Sequence, residues 1–363
     1  MDLVKLREFL LTKTYGRLIL GFAAFVYGLG VKLILWGYKT DRFKSKKVNT
    51  RVVCIGNITA GGTGKTTAVL LAASELSQGG VRTSIVSRGY KRTKKKDEVV
   101  VLFDKDLLNW QETGDEPYMM SQLLASYKVP VLVSADRFAA ASEALKQFKS
   151  QVILLDDGMQ HHKLKRDANI VLIDAKNPFG GGKLLPLGTL REPILALRRA
   201  NLIVITHSNL VPAREIENIK DEIRLINDGI NILESIHKPD YFFDITTREK
   251  LPLDALKGYA VAFSAIGEPG SFEDTLRNLG INLKQVWRFN DHSTYTLENM
   301  QTFADLRSDL PLITTFKDFV KLPVGWQDIL KDKVYILAIN MEIQNGELGK
   351  FMEVLYPNFS SKK

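Results

Sequence analysis

The stretch Val52–Thr67, VVCIGNITAGGTGKTT, decides the fold. A short apolar run leads into a glycine-rich turn and then into Gly64-Lys65-Thr66, the order of a strand, a loop and the start of a helix. Glycines let successive backbone N–H groups curl around a polyphosphate, and the helix N-terminus adds partial positive charge. A lysine ammonium there suits β- and γ-phosphate oxygens, and the next hydroxyl suits Mg2+. Thr59, Ala60, Gly61, Gly62, Thr63, Gly64, Lys65 and Thr66 are therefore expected to cradle ATP, with Thr66 also toward the metal. One position departs from G-x-x-x-x-G-K-[ST]: Thr59 stands where the first glycine belongs. A glycine-rich β-to-α turn without nucleotide is the alternative.

Outward from this loop, unbroken Val/Ile/Leu runs alternate with helix-length segments. Expected strands are Val52–Ile55, Thr83–Ser87, Val129–Val133, Val152–Leu155, Ile170–Ile173 and Leu202–Thr206, with helices at Lys65–Ser77, Glu116–Ser126 and Arg137–Phe148. That alternation predicts an α/β fold, a mostly parallel P-loop sheet covered by helices on both faces. Past about Lys238 the rhythm shifts, to Tyr241–Thr246, Tyr259–Ser264, Lys284–Phe289, Leu312–Thr315 and Val334–Ile339. The expected organisation is a helical segment at 1–50, a P-loop core at 51–238 and a smaller α/β domain at 239–363. No internal repeat is evident.

A P-loop enzyme needs an acid at the end of a neighbouring strand. Val152–Asp157 (VILLDD) supplies Asp156 and Asp157 where the apolar run stops, and the C-terminal edge of a parallel sheet is where ligands gather. Gly158-Met159-Gln160-His161-His162 follows as a loop. A histidine metal site is disfavoured there, because the pair lacks helical H-x-x-x-H spacing. Gly114-Asp115-Glu116-Pro117 reads equally as a helix cap and as catalytic acids. Asp291-His292 with Tyr295 is an isolated turn whose local reading favours structure.

The 363 residues are 45% hydrophobic and 25% charged, which excludes a disordered chain, a collagen and a multi-span transporter. One cysteine, Cys54, excludes a disulfide framework or cysteine-cluster zinc site and fits a reducing cytosol. The net charge of +9 at first suggests nucleic acid. Yet Met1–Arg51 holds eleven bases against three acids, so nearly all of the excess is local, and the body lacks interleaved basic and aromatic residues. No nucleic-acid partner is expected. The same segment carries Leu18–Val31, fourteen residues without charge, short of the ~20 that span a bilayer. A helix or helical hairpin at an anionic membrane surface is the preferred reading, and a helix packed on the core is the alternative.

Taken together, GNITAGGTGKT (Gly56–Thr66), SRGYKR (Ser87–Arg92), TGDEP (Thr113–Pro117), DDGMQHHKLKRD (Asp156–Asp167), NPFGGGKLLPLGTLREP (Asn177–Pro193), FNDHSTY (Phe289–Tyr295) and the TTFKD run (Thr314–Asp318) resemble the tetraacyldisaccharide 4′-kinases of lipid A biosynthesis. In that family a hydroxyl residue replaces the first P-loop glycine, which accounts for Thr59; Met159 departs from a commoner aromatic. The resemblance implies transfer of the ATP γ-phosphoryl group to the 4′-hydroxyl of an acylated disaccharide phosphate, with Mg2+, at the cytoplasmic face of the bacterial inner membrane. No obligatory protein partner is implied. It also implies Asp115 as general base partnered by His292, Lys65 serving the phosphate, Arg191 as a further catalytic residue, and Asp157, Asp156 and Glu116 around the metal. Arg88, Tyr90 and His161 would face the saccharide.

A competing reading is a membrane-associated P-loop ATPase switch of the partitioning and targeting type. Its K-G-G-x-G-K-T-T signature is matched at Gly61, Gly62, Gly64, Lys65, Thr66 and Thr67, but Ala60 replaces the signature lysine.

Overall fold

The computed structural model describes residues 3–90, 92–103, 109–291, 293–357 and 359. The strands in its first half are β1 (Arg51–Asn57), β2 (Thr83–Ser87), β3 (Val100–Leu102), β4 (Val131–Val133), β5 (Val152–Asp156), β6 (Ala168–Asp174) and β7 (Leu202–Thr206). Then come β8 (Ile232–Asp244), β9 (Lys250–Leu251), β10 (Gly258–Ser264), β11 (Ile281–Arg288), β12 (Leu312–Thr314) and β13 (Val334–Ile343). Among the described residues these form one sheet in the order β3-β4-β2-β5-β1-β6-β7-β8-β13-β12-β10-β11, with β9 beside β8.

β1 lies inside the first parallel group because both its faces are apolar. Val53 and Ile55 point into one core layer, and Val52 and Cys54 into the other. Helix Lys65–Gln78 covers the first face with Ala68, Val69, Ala72, Ala73 and Leu76. Helices Arg137–Phe148 and Ala213–Ile226 cover the second, through Ala140, Ala141 and Ala144, and through Ile216, Ile219 and Ile223. Burying a whole aliphatic side chain this way is worth about 1.5–3 kcal/mol.

β8 joins the two halves. It pairs parallel with β7 near Leu233 and antiparallel with β13 from Ser235 to Asp244. Beyond it, β11, β10, β12 and β13 run parallel to one another, with Phe263 and Phe303 in the core on one side and Phe242 and Phe272 on the other. Both parallel groups turn the C-terminal ends of their strands toward a shared cleft, which lies between them.

The basic N-terminal segment folds as two helices, Leu3–Leu11 and Thr14–Lys39. The second runs 26 residues, longer than its charge-free run, because Lys32 is accommodated within it. By length and composition it is able to cross a membrane. That revises the expectation that the apolar stretch is too short. Leu20, Ala24 and Gly28 pack inward at a spacing of four, while Leu18, Phe22, Phe25 and Leu33 are exposed.

Several element boundaries differ from expectation. β3 is an added antiparallel edge. The fourth strand begins at Val131, one residue past Pro130, and β8 starts nine residues before Tyr241. The β11 strand starts at Ile281 rather than Lys284. Asp115, not Glu116, opens the helix that ends at Leu123, and Ala213–Ile226 is an additional helix.

Candidate active site

The cleft has a volume of about 1920 Å3 and gathers side chains from both halves. Of the residues expected from sequence, Gly61, Gly62, Lys65, Arg88, Tyr90, Asp115, Glu116, Asp156, Asp157, His161 and Arg191 line it. Thr59 and Thr63 are instead buried beneath the loop, and Ala60 and Thr66 lie in the same turn without lining the cleft. His292 falls outside the described residues.

The phosphate loop is pinned from below. Ala60 N–H donates to Thr189 at 2.7 Å, Arg191 N–H donates to Ile58 at 2.7 Å, and Thr206 Oγ1 donates to the Thr63 carbonyl at 3.2 Å. Gly64 adopts φ +77°, and a Cβ there would lie 2.5 Å from His237, so glycine is required twice over. Lys65 opens the helix with its Nζ folded back to the Gly61 carbonyl at 3.5 Å. Behind it, Thr67 Oγ1 contacts His237 Nε2 at 2.7 Å, His237 stacks on His207 at 4.3 Å between centroids, and His207 Nδ1 contacts Asp174 at 3.1 Å. This chain carried no sequence signal, because its members come from the ends of β6 and β7 and the middle of β8.

Adjacent acids at the end of β5 are held in opposite ways. Asp156 is buried and accepts from Ser87 Oγ at 2.9 Å; burial, then Glu116 and Asp157, push its carboxyl up to about 7. Asp157 sits in a left-handed conformation at φ +48°, with its N–H on Ile55. Burial alone would raise its carboxyl, but Lys65 and then Arg191 outweigh it and hold it below the usual range. Arg191 Nη1 donates to both Asp157 oxygens, at 2.9 and 2.8 Å. His161 is kept neutral: burial and then Arg137 lower it to about 4.

Gly114, at φ +96° and hard against Gly89, lets the chain turn from one helical turn into the next, so that Asp115 is buried at the second helix's start. Asp115 Oδ1 accepts from the Glu116 N–H at 2.9 Å. Glu116 points across the cleft to Lys317, 3.6 Å away, which also meets Asp291 at 3.1 Å. Nearer the mouth, Lys176 pairs with Glu268. Lys317 lies in the TTFKD run but received no role from sequence, since a lone lysine has no diagnostic spacing.

No set of three or more His, Cys, Asp or Glu among the described residues forms a ready-made metal cage. Mg2+ does not need one, since it takes one or two carboxylates and fills its shell with waters and substrate phosphates. A buried carboxyl raised by neighbouring negative charge, as Asp156 is, suits an arriving divalent cation.

The tetraacyldisaccharide-1-P 4′-kinase family model matches residues 17–356. The chain belongs to this family. A tetraacyldisaccharide 4′-kinase from Elusimicrobium minutum is 58% identical, the match covering 99% of this chain and 97% of that one. The Aquifex aeolicus tetraacyldisaccharide 4′-kinase is 35% identical over 89% and 92%. A crystal structure of an Aquifex aeolicus 4′-kinase in complex with ATP superposes with a TM-score of 0.74 at 30% identity, covering 93% of this chain and 97% of that chain. The match extends far beyond the phosphate loop, so the partitioning-type ATPase is not favoured. The α/β, mostly parallel architecture is that of the 4′-kinase neighbour.

Proposed function

We propose that this cleft transfers the γ-phosphoryl group of ATP to the 4′-hydroxyl of a tetraacyldisaccharide 1-phosphate, giving the 1,4′-bisphosphate. The observation that carries the reading is the convergence of a phosphate loop, a buried acid and a cationic arginine on one cleft, in a chain matched to the kinase family over residues 17–356.

Phosphoryl transfer needs positioning and charge neutralisation more than covalent help. Lys65, the turn at Gly61, Gly62 and Gly64, and the helix start at Lys65–Thr66 hold the ATP phosphates. Thr66, with Asp156, Asp157 or Glu116, holds the metal, and Mg2+, when bound, neutralises phosphate charge. Arg191 Nη1 is held on both Asp157 oxygens, and from there the arginine meets the transferring group. Asp115 takes the proton of the acceptor hydroxyl, whose pKa far exceeds 7, with His292 as its partner. Arg88, Tyr90 and His161 contact the saccharide or its phosphate. Residues 51–238 act as the kinase core and 239–363 as a second unit that closes over it, with β8 as the shared strand.

The acceptor carries fatty chains, so the enzyme works at a bilayer, on the cytoplasmic face of the inner membrane. Helix Thr14–Lys39 supplies the apolar docking face, and its flanking bases meet anionic headgroups. Tyr27 Oη on that helix donates to the Arg191 carbonyl at 2.8 Å, so the docking helix touches the active-site loop itself. Deleting Met1–Lys39 should move the protein to the soluble fraction; a deletion that stays on membranes contradicts the docking role.

The activity is tested with γ-labelled ATP, disaccharide 1-phosphate in detergent and purified protein, followed by chromatography of the lipid. Labelled lipid with wild type, reduced about 10³-fold in Lys65→Ala, is expected. ATP hydrolysis with no labelled lipid would favour the switch ATPase instead.

A further inference from the structure

Lys317 is more buried than either carboxylate it meets. Its side chain is 19% exposed, against 39% for Glu116 and 43% for Asp291. An ammonium placed this way is not an ordinary surface pair, because its partners come from opposite walls of the cleft, 201 and 26 residues away in the chain.

The turn beneath it is densely hydrogen-bonded. Thr315 caps the short helix Phe316–Phe319, and within that helix Asp318, adjacent to Lys317, is fully buried. Asp318 Oδ1 accepts from Ala265 N–H at 3.0 Å and Tyr295 Oη at 2.9 Å, while its Oδ2 accepts from Thr315 Oγ1 at 2.7 Å. One turn therefore grips the FNDHSTY loop at two points, Asp291 through Lys317 and Tyr295 through Asp318. His292 lies between those points in sequence.

We propose that Lys317 is a positioning residue for phosphoryl transfer, whose ammonium ties Glu116, beside Asp115 on the nucleotide wall, to the Asp291 loop on the opposite wall. The proposal rests on the kinase reading above, in which Asp115 and His292 act together across the cleft. Removing the tie loosens the distance between the two walls without removing a phosphate ligand. The loss should therefore fall on kcat and leave nucleotide affinity alone.

The test is steady-state lipid phosphorylation by full-length Lys317→Met, Lys317→Arg, Asp291→Asn and the Lys317→Met/Asp291→Asn double variant, each with its thermal midpoint measured. Lys317→Met is expected to lose about 10²-fold in kcat, with KM for ATP held within about twofold. Lys317→Arg should recover most of that rate, and the double variant should be no slower than Lys317→Met, since both changes break one link. If Lys317→Met does not fold, Asp291→Asn alone must show the loss in kcat at unchanged KM. Wild-type kcat in Lys317→Met or in Asp291→Asn, a loss confined to KM, or additive effects in the double variant would overturn the proposal. Asp115→Asn is run in parallel. Full activity there would sink the base assignment, whereas an inactive Asp115→Asn beside a fully active Lys317→Met would sink this inference alone.

Discussion

Asp156 and Asp157 at the end of β5, and Asp318 just past β12, are all carboxylates at the C-terminal ends of parallel strands, yet they are kept for different purposes. On the nucleotide wall the acids face the cleft and stay under tension. Asp156 is raised to about 7 by burial and its acidic neighbours, and Asp157 is drawn down by Lys65 and Arg191. On the far wall Asp318 turns away from the cleft, is surrounded by three donors and sits 3.1 Å from the buried Lys321 ammonium. That ammonium is close enough for an ion pair but is not aligned to donate a hydrogen bond. The nucleotide wall keeps charge available for a ligand. The far wall satisfies its charge internally, and the satisfied network holds Lys317 in place at the cleft.

Three variants break this contrast in turn. Asp318→Ala should cost most in stability. It strands Lys321 as an uncompensated buried charge and removes three hydrogen bonds, a loss of about 3–5 kcal/mol by urea denaturation. A loss of less than about 1 kcal/mol would mean the far wall is not held by Asp318. Next, His292→Ala should lower kcat by about 10²–10³-fold, the usual contribution of one acid–base partner, while leaving the denaturation midpoint in place. Wild-type turnover would remove His292 from the mechanism.

The smallest effect is a pH slope. Burial, then His207, holds His237 down to about 3, well under its unfolded value of about 6.5. The unfolded chain therefore binds the extra proton between about pH 6.5 and 3. Stability from this group is present above that window and lost as the pH falls through it, by at most about 1.4 kcal/mol per pH unit. His237→Gln should flatten the acid side of a plot of urea midpoint against pH. An unchanged slope would show that His237 is not kept neutral beside the phosphate loop.

The same contrast explains what was legible in the sequence. The nucleotide wall is written in consecutive residues: Gly61 to Thr66 make a turn into a helix, and the run VILLDD ends where its strand does. Local chain geometry alone brings those groups to the cleft. Far-wall groups arrive singly, from the ends of β11 and β12, and only tertiary packing brings Lys317 near Glu116 or Tyr295 near Asp318. β8 is legible only from Tyr241, because the residues before it include the charged Glu234 and Lys238 and also Pro239, so they lack the apolar run of a core strand. Helix Ala213–Ile226 was within reach, since Ile216, Ile219 and Ile223 recur at helical spacing. In the N-terminal segment the charge-free run understated the helix, which continues through Lys32 to Lys39.

Two differently built walls frame one proposed transfer, from ATP to a lipid hydroxyl bound in the cleft between them. Its most direct measurement is label transfer from γ-labelled ATP into the disaccharide lipid by wild type, with Lys65→Ala and Asp115→Asn beside it. Wild type should give a labelled bisphosphate lipid, and Lys65→Ala and Asp115→Asn should each fall about 10³-fold below it. ATP consumed while the lipid stays unlabelled would contradict it.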